Sequence, residues 1–133
     1  MFGSKKQPPI RTLIGEGTVL RGELRFVEGL RIDGEVHGDV VADDTSGSSV
    51  VVISEKAQVI GKVNASHVII NGLVRGPVES QELLELQPKA RIIGDVKYQA
   101  LEMHQGATID GELHPFKSDE KSSSSVIKLA SHG

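Results

Sequence analysis

The chain has 133 residues, enough for one domain with one core, and 38% of them are apolar before glycine is counted, which excludes a chain disordered throughout. Trp and Cys are absent and there are only three Phe and one Tyr, so the core has to come from Val, Ile, Leu and Ala, and disulfides, thiol chemistry and cysteine metal sites are excluded. A net charge of −3, with Lys and Arg gathered in no one segment, offers neither the basic stripe nor the stacking aromatics that nucleic-acid binding needs.

Residues 1–12 read as a flexible tail, kept extended by Pro8 and Pro9. The start, Met1-Phe2-Gly3-Ser4-Lys5-Lys6, lacks the apolar stretch of a secretory leader. Its glycine stands third rather than second, which excludes myristoylation. No apolar run approaches the ~20 residues that span a bilayer. A cytoplasmic protein is expected.

From residue 13 onward the chain repeats itself. Residues 14–24, 53–63, 86–96 and 103–113 share one pattern: an apolar residue, a three-residue turn, a small residue (Thr18, Ala57, Ala90, Ala107), then alternating apolar positions around a glycine. Leu20, Val59, Ile92 and Ile109 hold one of those positions, and Gly22, Gly61, Gly94 and Gly111 follow two places later. A second pattern joins residues 30–40 to residues 68–78, each with two glycines four apart between apolar residues. The internal period is 2, which puts every second side chain on one face of a strand. Residues 79–86 could pass for helix, but Leu84 and Leu86 align with Val51 and Ile53, so strand is predicted.

Residues 43–49 are polar and rich in turn formers, and read as a loop bulging from one corner, which leaves the register of the third coil open. Residues 117–133, with four serines at 122–125, read as a flexible, disordered C-terminal tail.

Hairpins would need a tight-turn signal between each pair of strands. Only Asn71-Gly72 has that form, and Asp33-Gly34 is its counterpart inside the other copy. The repeat therefore predicts an all-β solenoid over residues 13–116, a single parallel β-helix of about six coils, each coil three short strands around a triangle. At ~4.8 Å per layer the stack is about 30 Å long.

One coil cannot stand alone. Its six or so aliphatic side chains yield about 10–15 kcal/mol gross, and ordering about 17 backbone units costs at least as much. Stability has to come from stacking. The first and last coils then each show unpaired backbone above an open apolar core, and no amphipathic cap is visible in the sequence. The candidate polymer interface is Leu13, Ile14, Leu20 and Leu24 at one end and Ile109, Leu113 and Phe116 at the other. Like ends meeting would give two-fold junctions without polarity, and unlike ends a polar filament.

The repeats over residues 13–115, the Met-Phe-Gly start with Lys5 and Lys6, and the polar tails around a compact core resemble the bactofilins. The resemblance implies a right-handed β-helix that polymerises without nucleotide or cofactor into non-polar filaments. It implies bacterial roles in cell shape, cell-wall synthesis, polar organisation or chromosome positioning. It also implies a phenylalanine near the final coil that supports polymerisation, and Phe116 is the nearest candidate. Membrane binding through the apolar and basic start would fall on Met1, Phe2, Lys5 and Lys6. The implied partners are further copies of the chain, the inner face of the cytoplasmic membrane, and a cell-wall enzyme or other envelope protein.

Enzyme readings find little support. His37, His67, His104, His114 and His132 share no close metal-binding spacing and are expected on the surface. Asp33, Asp39, Asp95 and Asp110 sit beside repeat glycines and are expected to point outward at corners, not to converge on one groove as a glycoside-cleaving pair would. Residues 14–19 look like one unit of a hexapeptide acyltransferase helix, but the six-residue period stops there. No phosphate-cradling Gly-Lys-Ser/Thr motif is present. The alternative function is a monomeric β-helical scaffold that binds a protein through its flat faces or its C-terminal tail.

Overall fold

A computed structural model describes residues 7–43, 47–116 and 126–129. All regular secondary structure among these residues is strand. In the first coil, β1 (Ile10–Ile14), β2 (Val19–Arg21) and β3 (Leu24–Phe26) make three sides of a triangle. The second coil repeats them as β4 (Gly29–Ile32), β5 (Glu35–His37) and β6 (Val40–Ala42), and the third begins with β7 (Val50–Ile53) and β8 (Gln58–Ile60). From there, strands on two adjacent sides run together through the corner, giving β9 (Val63–Ile70), β10 (Leu73–Arg75), β11 (Val78–Leu86), β12 (Arg91–Ile93) and β13 (Val96–Met103). The sixth coil closes with β14 (Thr108–Asp110) and β15 (Leu113–Pro115).

Each strand pairs in parallel with its equivalents one coil before and after. One side is the six-stranded sheet β2-β5-β8-β10-β12-β14. The other two sides belong to one ten-stranded sheet, because β9, β11 and β13 turn the corner without a break. The predicted β-solenoid of about six turns is what forms. The loop at residues 43–49 leaves the register intact, since β7 pairs with β4 and β9 residue for residue.

The alternating apolar residues become ladders running down the axis. Ile14, Ile32, Ile53, Ile70, Leu86 and Met103 stand in register on one side. Leu20, Val36, Val59, Val74, Ile92 and Ile109 do so on the second, and Leu24, Val40, Val63, Val78, Val96 and Leu113 on the third. Their middle rungs are fully buried. Parallel sheets bury both partners of each ladder pair, which is why β-branched residues dominate. Tyr98, the largest fully buried side chain, fits because its neighbours in register are the small Ser80 on one side and the ring of Pro115 on the other, with Ala65 one rung beyond Ser80.

The two repeat patterns differ at one corner. Coils of the first pattern carry a full turn there, as at residues 54–57, closed by Ala57 N–H donating to the Ser54 carbonyl at 2.9 Å. Coils of the second pattern replace it with a short corner at Gly34 or Gly72, which packs under the neighbouring turn. A β-carbon on Gly72 would overlap the Ser54 carbonyl.

Of the expected C-terminal tail, residues 117–125 and 130–133 lie outside the described residues, and Val126–Leu129 form a sixteenth strand, β16, parallel to the second half of β13. Ile127 is in register with Leu101 and Leu129 with Met103, so the segment begins a seventh layer on one side of the triangle. The open edge of β13 supplies the pairing partner that isolated propensity could not reveal.

Candidate assembly surfaces at the two ends of the stack

Both ends of the core are uncovered to different degrees. Ile14, Leu20 and Leu24 top the three ladders and are half-buried, whereas Ile32, Val36 and Val40 one coil inside are 0% exposed. At the other end Ile109 is half-buried and Leu113 is 40% exposed, against 0% for Ile92 and Val96 one coil in. Among the described residues, β1, β2 and β3 each pair on one edge only, as do β14 and β15. The N-terminal end therefore offers apolar side chains inside a ring of unpaired strand edges, and the C-terminal end does so on the sides of β14 and β15, its third side being paired with β16.

Six of the seven sequence-predicted interface residues fall on these ends: Ile14, Leu20 and Leu24 on the first coil, Ile109, Leu113 and Phe116 on the last. Phe116 directly follows β15, is half-buried, and its N–H donates to the Tyr98 carbonyl at 2.8 Å. Leu13 is placed differently. It is in register with the outward-facing Arg31 and is 58% exposed, so it lies on the flank of the stack and not over the core. Met103 was missed, although its alignment with Ile14 in the repeat was the available signal; it ends the first ladder and is paired in register with Leu129 of β16. Met1, Phe2, Lys5 and Lys6 lie outside the described residues.

The polar corners are built for bracing. Asp39 accepts from the Lys62 N–H and Asp95 from the Glu112 N–H, each at 2.9 Å and each across one coil. Asp33 accepts from the Ser54 hydroxyl and from Arg31 Nε at 3.0 Å. The Ser54 hydrogen bond holds the Asp33 carboxyl below its ordinary value, aided by Arg31 and opposed by partial burial. These carboxylates are spread along the stack and do not converge on a groove.

Stacking also assembles groups that linear spacing could not show. Glu85 and Glu102 are in register on adjacent coils, and His104 Nε2 lies 3.8 and 3.3 Å from their carboxylates. Asp95, Glu112 and His114 form a second, exposed group. His37 pairs with Glu35 at 3.0 Å. In each group an imidazole faces carboxylates carried by its own coil or the one beside it.

A family profile described as "Bactofilin: Polymer-forming cytoskeletal" matches residues 12–114, from β1 to β15. Two curated proteins of Myxococcus xanthus (strain DK1622) are similar over 102 residues, or 77% of this chain: bactofilin BacO at 26% identity and bactofilin BacP at 24%. The matched region spans 77% of BacO but only 40% of BacP. No solved structure matches the chain. The matched residues are the whole six-coil solenoid with both of its end coils, and the chain belongs to the bactofilins, a family of polymer-forming cytoskeletal proteins.

Proposed function

We propose that the protein is a non-enzymatic cytoskeletal subunit that assembles without nucleotide into filaments by end-to-end stacking of its solenoid. One observation carries this reading: all three core ladders run fully buried through the middle coils, and all three surface at the N-terminal end and two of them, at Ile109 and Leu113, at the C-terminal end. Joining two ends removes that apolar area from water at about 25 cal/mol per Å² and pairs the idle strand edges. Because each subunit arrives with its ladders already formed, no bound nucleotide is needed to build the contact surface. Junctions between like ends make the filament non-polar, in keeping with the family resemblance.

The same reading puts the filaments at the inner face of the cytoplasmic membrane, organising cell shape or cell-wall synthesis, with a cell-wall enzyme or other envelope protein as partner. Lys5 and Lys6 each contribute about 1 kcal/mol near an anionic surface. Many tails along one filament turn that weak attraction into firm attachment.

Sedimentation and negative-stain electron microscopy of purified protein without nucleotide test the proposal. Long thin filaments in the pellet are expected. A monomer that persists at high concentration would favour the partner-binding scaffold instead, a reading to which the partial covering of one end by β16 lends some weight.

A further inference from the structure

The two ends of the stack are not equally open. At the N-terminal end β1, β2 and β3 all present edges that no described residue pairs. At the C-terminal end one side is already occupied, because β16 lies on the outer edge of β13 from Ala100 to Met103. A second side is blunted. Phe116 N–H turns inward to the Tyr98 carbonyl, and alternate residues of a strand face alternate edges. Position 115 therefore faces the open side, where proline has no N–H to offer. Among the described residues, only β14 remains an unobstructed edge there.

We propose that β16 is a built-in cap, a segment of the chain that folds back on its own last coil and competes with the next subunit for the edge of β13. The inference rests on the end-stacking reading above and adds a control to one end of it. Register supports the cap: Val126, Ile127, Lys128 and Leu129 match Ala100, Leu101, Glu102 and Met103 without a shift, as an incoming strand would have to.

Chain length supports it too. Passing the corner between these two sides takes a single residue in β9, Ser66, and in β13, Gln99. Ten residues, 116–125, separate β15 from β16. Ten residues can reach about 30 Å, so β16 can leave its edge without disturbing the sixth coil. A four-residue strand paired on one edge belongs to the least stable part of a structure, so the cap opens at modest cost. Subunits would join readily at the N-terminal end and at the C-terminal end only after β16 has moved.

The cap predicts a specific response to Lys128→Pro in the full chain, with Lys128→Gln as the charge control, because alternation along β16 turns the Lys128 N–H toward β13 and proline removes it. In the unassembled full chain the amides of Leu101 and Met103, which face β16, should exchange about three- to tenfold more slowly than in the proline variant. The critical concentration for assembly should fall by about three- to tenfold, the range for an end that is open about a third to a tenth of the time. Equal exchange at Leu101 and Met103 in the two chains would overturn the cap. So would an unchanged critical concentration, or a raised one, which would make β16 part of the junction. If neither chain forms filaments, the end-stacking reading fails, while the exchange result still reports whether β16 is docked.

Discussion

A β-carbon on Gly61 would overlap the carbonyl oxygen of Gly38, one coil away. The same relationship recurs between Gly76 and Gly61, so the repeat glycines are a column of backbone in mutual contact at one corner. Both Gly61 (φ 152°) and Gly76 (φ 149°) also hold positive φ. Alanine at Gly61 or Gly76 should destabilise the fold by about 3 kcal/mol or more, clash and backbone strain together. Gly22, at the head of the column, has positive φ but nothing within 4 Å of its missing β-carbon. Gly22→Ala should therefore cost only the strain, about 1–3 kcal/mol. Denaturant midpoints of the three variants check the order.

One ladder separates stability from assembly. Ile92 and Ile109 are successive rungs, the first fully buried and the second half-buried on the last coil. Ile92→Ala should cost about 2–5 kcal/mol of folding stability. Ile109→Ala should cost clearly less in the isolated subunit while raising the critical concentration for assembly. Unfolding curves and sedimentation of each variant read the two effects apart.

Charge at an end should stop growth without unfolding the chain. Leu20→Arg and Phe116→Arg each put an unpaired cation into the proposed junction, a cost of several kcal/mol once buried. Both variants should remain folded by circular dichroism and give soluble short species. Normal filaments from Phe116→Arg alone would move the C-terminal contact toward Ile109 and Leu113.

Asp33 sets a pH signature. Its carboxyl titrates below the ordinary value in the folded state, chiefly through the Ser54 hydroxyl, so it adds stability above the unfolded pKa and loses it as pH falls through the folded one. The stability gap between the natural chain and Asp33→Asn should hold steady from neutral pH to about pH 5 and shrink below about pH 4. Thermal melts of both across that range show whether the gap closes on the acid side.

Membrane attachment should depend on the N-terminal tail and on assembly. Deleting residues 2–6 should abolish co-pelleting with anionic liposomes, and a Leu20→Arg subunit with an intact tail should pellet weakly, because avidity is lost. Equal pelleting of full-length and shortened protein would end the proposal.

The solenoid was legible because the chain states it several times. Glycine and alternating aliphatic residues return at matching places in 14–24, 53–63, 86–96 and 103–113, and each copy constrains the others. The end residues followed from the same alignment, except Leu13, whose outward direction depends on how β1 registers on Arg31. What sequence could not supply is pairing across the stack. The four residues of β16 carry too little pattern amid serines to announce a strand, and their partner edge lies more than twenty residues back. Glu85 and His104 likewise meet only because one coil of chain brings them to adjacent layers.

The axial subunit spacing in assembled filaments tests end-on stacking most directly. Six layers at ~4.8 Å predict a rise of about 29 Å per subunit along the axis, or a repeat of about 58 Å for two-fold junctions, with the layer spacing continuous through each junction. Fibre diffraction or cryo-electron microscopy should find that spacing. A rise unrelated to six layers, or solenoids lying side by side across the filament, would contradict it.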